Sequence, residues 1–159
     1  MKKFIVCLSF LSATVCANPA AMDVFRMELT GCYGTCPRFD VQVFADGVVV
    51  FNGQKYTEYV GIYRLPTNPE LFQEILRLLD ESNFQQFPSR VAASRSGEPS
   101  PCRESWTDDA TTLLTMQTAD QQKTIAHYHG CKGFPREAEL VALEKKLIEI
   151  TGIAKLIAK

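Results

Sequence analysis

The sequence predicts an α+β domain: an antiparallel sheet of about five to six strands with two amphipathic helices packed on one face, in the order βββ(β)αββα. Three observations lead there. Apolar and polar residues alternate on either side of an Asp-Gly pair near residue 46, and a second hairpin pattern precedes residue 130. Two other stretches carry apolar residues at helical spacing. Hairpins imply antiparallel pairing, and two one-sided helices imply one covered face of the sheet.

Each element has its own local reason. Val24 to Thr30 puts Phe25, Met27 and Leu29 on one face and Arg26, Glu28 and Thr30 on the other, as a half-buried strand does. Gly31 to Pro37 reads as a turn holding two cysteines. Phe39 to Val43 alternates again, and Asp46-Gly47 leads into Val48 to Phe51. Both turn residues tolerate positive φ, so a hairpin is expected. Asn52-Gly53 reads as another turn, and Tyr56 to Tyr63 as a further strand of the meander. Thr67 and Glu70 have capping-box spacing with Pro69 in the first turn. Leu71, Phe72, Ile75, Leu78 and Leu79 then form an apolar stripe that reads as ordinary core.

Pro88 to Asp109 carries three prolines and five serines with weak periodicity. So long a stretch without structure is uncommon inside a compact domain, and is either functional or disordered. Thr111 to Thr118 and Lys123 to His129 make a second hairpin around Ala119 to Gln122. Pro135 starts the last helix, with Leu140, Leu143, Leu147 and Ile150 as its stripe and Gly152 as its stop.

The N-terminus reads as a secretory signal. Lys2 and Lys3 precede an apolar run from Phe4 to Val15, and Val15-Cys16-Ala17 offers small or modest residues for cleavage. The run is too short for a membrane anchor, which needs about 20 residues. Cleavage is expected after Ala17, with residues 18–159 forming one domain, periplasmic or secreted. Cys16 raises the alternative of a lipoprotein, but Ala13 and Val15 fit that signal poorly. Loss of residues 1–17 removes two lysines and no acidic residue. That leaves 15 basic against 18 acidic side chains, a net charge of −3. So mild a balance argues against nucleic acid and anionic membranes as partners, since both favour clustered Lys and Arg.

Cys7 and Cys16 fall within the signal, leaving Cys32, Cys36, Cys102 and Cys131. An even number in an exported chain reads as a disulfide framework. Of three possible pairings, Cys32–Cys36 and Cys102–Cys131 need the least rearrangement. The first pair could be structural or redox-active. Thiol oxidoreductases favour two intervening residues at a helix start, whereas here there are three, between strands. The second pair would pin the long loop, making Arg103, Trp106 and Asp108 a candidate binding surface. Trp106 itself is either a lid over the core or an exposed anchor.

His127-Tyr128-His129-Gly130-Cys131 holds the candidate metal ligands. Alternate residues of a strand share a face, so both imidazoles point the same way. Two histidines and a thiolate suit zinc or copper. However, an oxidised Cys131 is lost as a ligand, and the spacing supplies no third. The competing reading puts both histidines on the polar face with Ala126 and Tyr128 inward, although Ile125 shares the histidine face. The expectation is no metal and no cofactor, with His127 and His129 as the alternative. Glu104, Ser105, Asp108, Asp109 and the histidines include the residue types of a hydrolase, but neither a nucleophile elbow nor a phosphate-cradling loop organises them. No enzymatic activity is expected.

Gly31-Cys32-Tyr33-Gly34-Thr35-Cys36-Pro37, followed by Phe39 to Val43, Asp46-Gly47 and a Val-rich strand ending in Asn52-Gly53, carries a resemblance. The segment resembles the exported bacterial domains of unknown function numbered 6438. Their pattern is G-C-[YF]-G-[TS]-C-P, an aromatic strand, a D-G hairpin and a second strand ending in Gly. Looser matches follow in the first helix, in Thr107-Asp108 before Thr111-Thr112, and in the closing helix, from about residue 24 to 152. Cys102 and Cys131 lie outside that pattern. The resemblance implies an exported domain and assigns no activity and no catalytic residue. Together these readings point to an exported, disulfide-stapled module that binds a protein or envelope component. The alternative is a metal-binding or thiol-redox envelope protein.

Overall fold

A computed structural model describes residues 22–94 and 99–157. The expected signal segment lies outside the described residues. Strands β1 (Val24–Leu29), β2 (Arg38–Phe44), β3 (Val49–Lys55) and β4 (Gly61–Leu65) form an antiparallel meander. Helix α1 (Leu71–Glu81) follows, then β5 (Arg90–Val91) and β6 (Glu104–Ser105). The hairpin β7 (Thr111–Gln117) and β8 (Gln122–Tyr128) leads to β9 (Cys131–Lys132), α2 (Glu137–Ile150) and the short α3 (Ala154–Ile157). The main sheet has seven strands in the order β4-β3-β2-β1-β7-β8-β5, and β6 pairs with β9 in a separate ribbon.

The fold class is α+β as expected, with differences in count and order. The sheet is mixed, because β5 runs parallel to β8 at its edge. The stretch from Pro88 to Asp109 contains β5 and β6. A two-residue strand is too short to show a period of two, so its sequence carries no strand signal. The chain leading into β5 is held by β8: Lys123 Nζ donates to the Phe87 carbonyl at 2.8 Å, and Ala126 N to the Ser89 carbonyl at 2.9 Å.

Asn52-Gly53 is not a turn but the middle of β3. Glycine is needed there because the returning chain crosses it: a Cβ on Gly53 would meet the Tyr59 carbonyl oxygen and the Thr57 hydroxyl. The first helix is also capped differently. Glu70 is its N-cap without a side-chain bond, while Asn68 Oδ1 accepts Glu70 N at 3.1 Å. Residue 67 makes no capping box.

One face of the sheet carries the core. Cross-strand pairs Phe25 with Val43 and Met116, Met27 with Val41 and Leu114, and Phe51 with Val41 share that face. They join the buried stripes of α1 (Leu71, Phe72, Ile75, Leu79) and α2 (Leu140, Leu143, Leu147) in one apolar cluster. At about 25 cal/mol per Å² of apolar area, such side chains stabilise the domain by roughly 1.5–3 kcal/mol each. Arg136 joins the helices: its guanidinium stacks 3.9 Å from the Phe87 ring centroid and donates to the Ser82 carbonyl at 2.7 Å. Among the described residues, no helix is long and apolar enough to cross a membrane.

Candidate functional site

Both disulfides lie at one end of the sheet, where β1 stops, β7 begins and β8 stops. Cys32 bonds to Cys36, with Cα atoms 5.7 Å apart, and closes the turn after β1. Cys102 bonds to Cys131 across 29 positions, with Cα atoms 5.2 Å apart, and ties the chain before β7 to the chain after β8. The two closed loops are joined to each other. Thr30 N donates to the Thr111 carbonyl and Thr111 N to Thr30 Oγ1, both at 2.9 Å, and Tyr33 N donates to the Asp108 carbonyl at 3.0 Å.

The candidate binding residues sit on this frame. Ribbon β6–β9 holds the backbone beside Arg103, whose N–H donates to the Lys132 carbonyl at 2.8 Å. Trp106 N donates to the Gly130 carbonyl at 3.0 Å, and Tyr128 clamps the next turn: its hydroxyl donates to the Trp106 carbonyl at 2.9 Å and accepts from Asp109 N at 3.1 Å. Gly130 permits this approach, since a Cβ there would meet the Trp106 carbonyl oxygen and the Tyr128 ring. Asp108 takes a left-handed φ of 71°, which aspartate tolerates better than most residues.

Trp106 is not a lid over the core. It is 48% exposed, with its indole N–H donating to Asp109 Oδ2 at 3.2 Å. Tyr33, in the adjoining disulfide loop, is 91% exposed. Arg103 lines a groove of about 520 Å³ with Pro101, Gly133, Phe134 and Pro135. Tyr33 was missed at the sequence level; its signal is a large aromatic side chain held between two bonded cysteines.

The histidines lie on the helix-covered face, not the polar one. His127 stands directly across from Thr112 on the face shared with Ile125, and it is 0% exposed. Its Nδ1 is 2.8 Å from Glu144 Oε1, a carboxylate that occupies one place in the buried stripe of α2. Its Nε2 has no hydrogen-bond partner among the described residues. His129 is half-buried; its ring stacks on His127 with centroids 4.7 Å apart, and its Nε2 is 2.7 Å from Thr112 Oγ1. Burial holds the His129 imidazole below its ordinary pKa range, against the opposing pull of the Glu144 charge. Phe134 packs against His127 with centroids 5.3 Å apart.

Glu144 is a second residue that sequence reasoning did not find. Its signal is positional: it lies four after Leu140 and three before Leu147, inside the apolar stripe, where a carboxylate needs a buried partner. Ser105, by contrast, forms no hydrogen bond to either imidazole among the described residues.

Comparison with curated proteins finds no match. A family described as "Domain of unknown function (DUF6438)" matches residues 23–151. That span takes in every strand, both long helices and all four bonded cysteines. The chain belongs to the DUF6438 family of domains of unknown function.

Proposed function

We propose that the mature domain is exported to the periplasm or beyond. There it works as a non-catalytic interaction module, and its binding face is the end of the sheet where the two disulfide loops meet. The observation that carries this reading is the pair of exposed aromatics, Tyr33 and Trp106, on backbone segments hydrogen-bonded through Tyr33 N and the Asp108 carbonyl. An exposed aromatic held on a rigid backbone loses little entropy when it docks, and such residues dominate interface energetics. Arg103 beside its groove adds a cation at the rim. The partner class that fits is a protein or envelope component with an apolar pocket bordered by acidic groups. A redox role for Cys32–Cys36 has weaker support: the pair lies between β1 and β2, with no helix start to depress a thiol pKa.

Photo-crosslinking in the native cell tests this. A photoreactive phenylalanine analogue placed at residue 33 or 106 should capture the same discrete partner, whereas one at exposed Gln73 of α1 should not. Identical capture from all three positions, or none from 33 and 106, would sink the reading.

A further inference from the structure

His127 Nε2 is the one buried side-chain nitrogen or oxygen among the described residues that has no hydrogen-bond partner. Buried polar atoms of native proteins are nearly always satisfied, so an orphan calls for a ligand or a reason. Its surroundings supply one. One donor atom each from His127, His129 and Glu144 lie within 4.8 Å of one another. Glu144 holds Nδ1 on the far side of the His127 ring, so the donors open to a shared ion are His127 Nε2 and the His129 ring.

We propose that His127 Nε2 and His129 ligate one divalent transition-metal ion of the zinc and copper class, with Glu144 orienting the His127 ring through Nδ1. Three features fit that chemistry. The donors are imidazole nitrogens, which suit these ions and are a poor match for calcium or magnesium. The neighbouring Cys131 is locked to Cys102, so no thiolate enters the set. The Glu144 carboxylate at His127 Nδ1 is the carboxylate–histidine relation that orients metal-bound imidazoles, and it leaves the lone pair on Nε2.

The fold also explains how the group assembles. Residues 127 and 129 share a face because strand side chains alternate. Glu144 comes from α2, which packs over that face, and fixes the His127 ring from its Nδ1 side. The half-buried His129 gives the ion a way in, while Phe134 shields the His127 side.

The test uses the oxidised mature protein stripped of metal by chelator and dialysis. Zinc, and separately copper(II), is titrated against a chromophoric competitor, and ring nitrogens are followed by histidine ¹H–¹⁵N long-range correlation. One equivalent of at least one ion should bind, with the His127 Nε2 resonance shifting on addition. Glu144→Gln should weaken binding about 10–100-fold. Because that variant alters a buried pair, His129→Gln at the half-buried position serves as the second variant and should also lose binding, with near-ultraviolet circular dichroism unchanged. Failure of both ions to bind the wild-type chain, or unchanged binding in folded His129→Gln, would overturn the proposal.

Discussion

Glu144 Oε1 meets His127 Nδ1 at 2.8 Å beneath α2, joining the last long helix to β8 through two buried polar side chains. Both residues are nearly inaccessible, so neither can exchange its partner for water.

Removing one member of this pair should therefore cost more than removing both. Glu144→Leu should lower stability by about 3 kcal/mol in urea unfolding, because His127 is left buried without a partner. The double variant His127→Leu with Glu144→Leu should recover part of that loss. A double variant less stable than Glu144→Leu would contradict the account.

The two disulfides should differ in weight. Replacing Cys102 and Cys131 by Ser opens a loop of about 30 residues and should cost about 3–4 kcal/mol, against about 2 kcal/mol for Cys32 and Cys36. As a structural bond, Cys32–Cys36 should have a reduction potential below about −300 mV. Half-reduction near −200 mV in glutathione buffers would instead identify a redox centre.

Gly53→Ala should destabilise the domain by roughly 1–3 kcal/mol, since the added methyl meets the Tyr59 carbonyl oxygen and the chain must shift. Thermal unfolding measures this, and a neutral result would show that the segment after β3 gives way easily.

Trp106→Ala should leave the fold nearly as stable and cost about 2 kcal/mol of partner affinity, the scale of an interface anchor. Calorimetry with the crosslinked partner, alongside a melting curve, separates the two effects. Equal affinity would remove Trp106 from the binding face.

Export should leave a mature chain that starts at Asn18 and carries no acyl group. Intact mass of protein recovered from the envelope fraction decides this, and a diacylglyceryl addition on Cys16 would refute it.

The sequence by itself determined what a window of a few residues can hold. The alternation of Phe25 and Met27, the Asp46-Gly47 hairpin, the stripe from Leu71 to Leu79 and the β7–β8 hairpin all act through neighbours along the chain. Their periods are therefore legible without the fold. Tertiary structure decided whatever depends on segments far apart. Gly53 looked like a turn residue because positions 52 and 53 do not show how the bend after β3 folds Thr57 and Tyr59 back over it. Strand β5 became visible only through its pairing with β8. The His127–His129 face was undecidable from alternation alone, since a period of two says which residues share a face and not which face is covered. Packing of α2 over that face settled it, and Glu144 came with the helix.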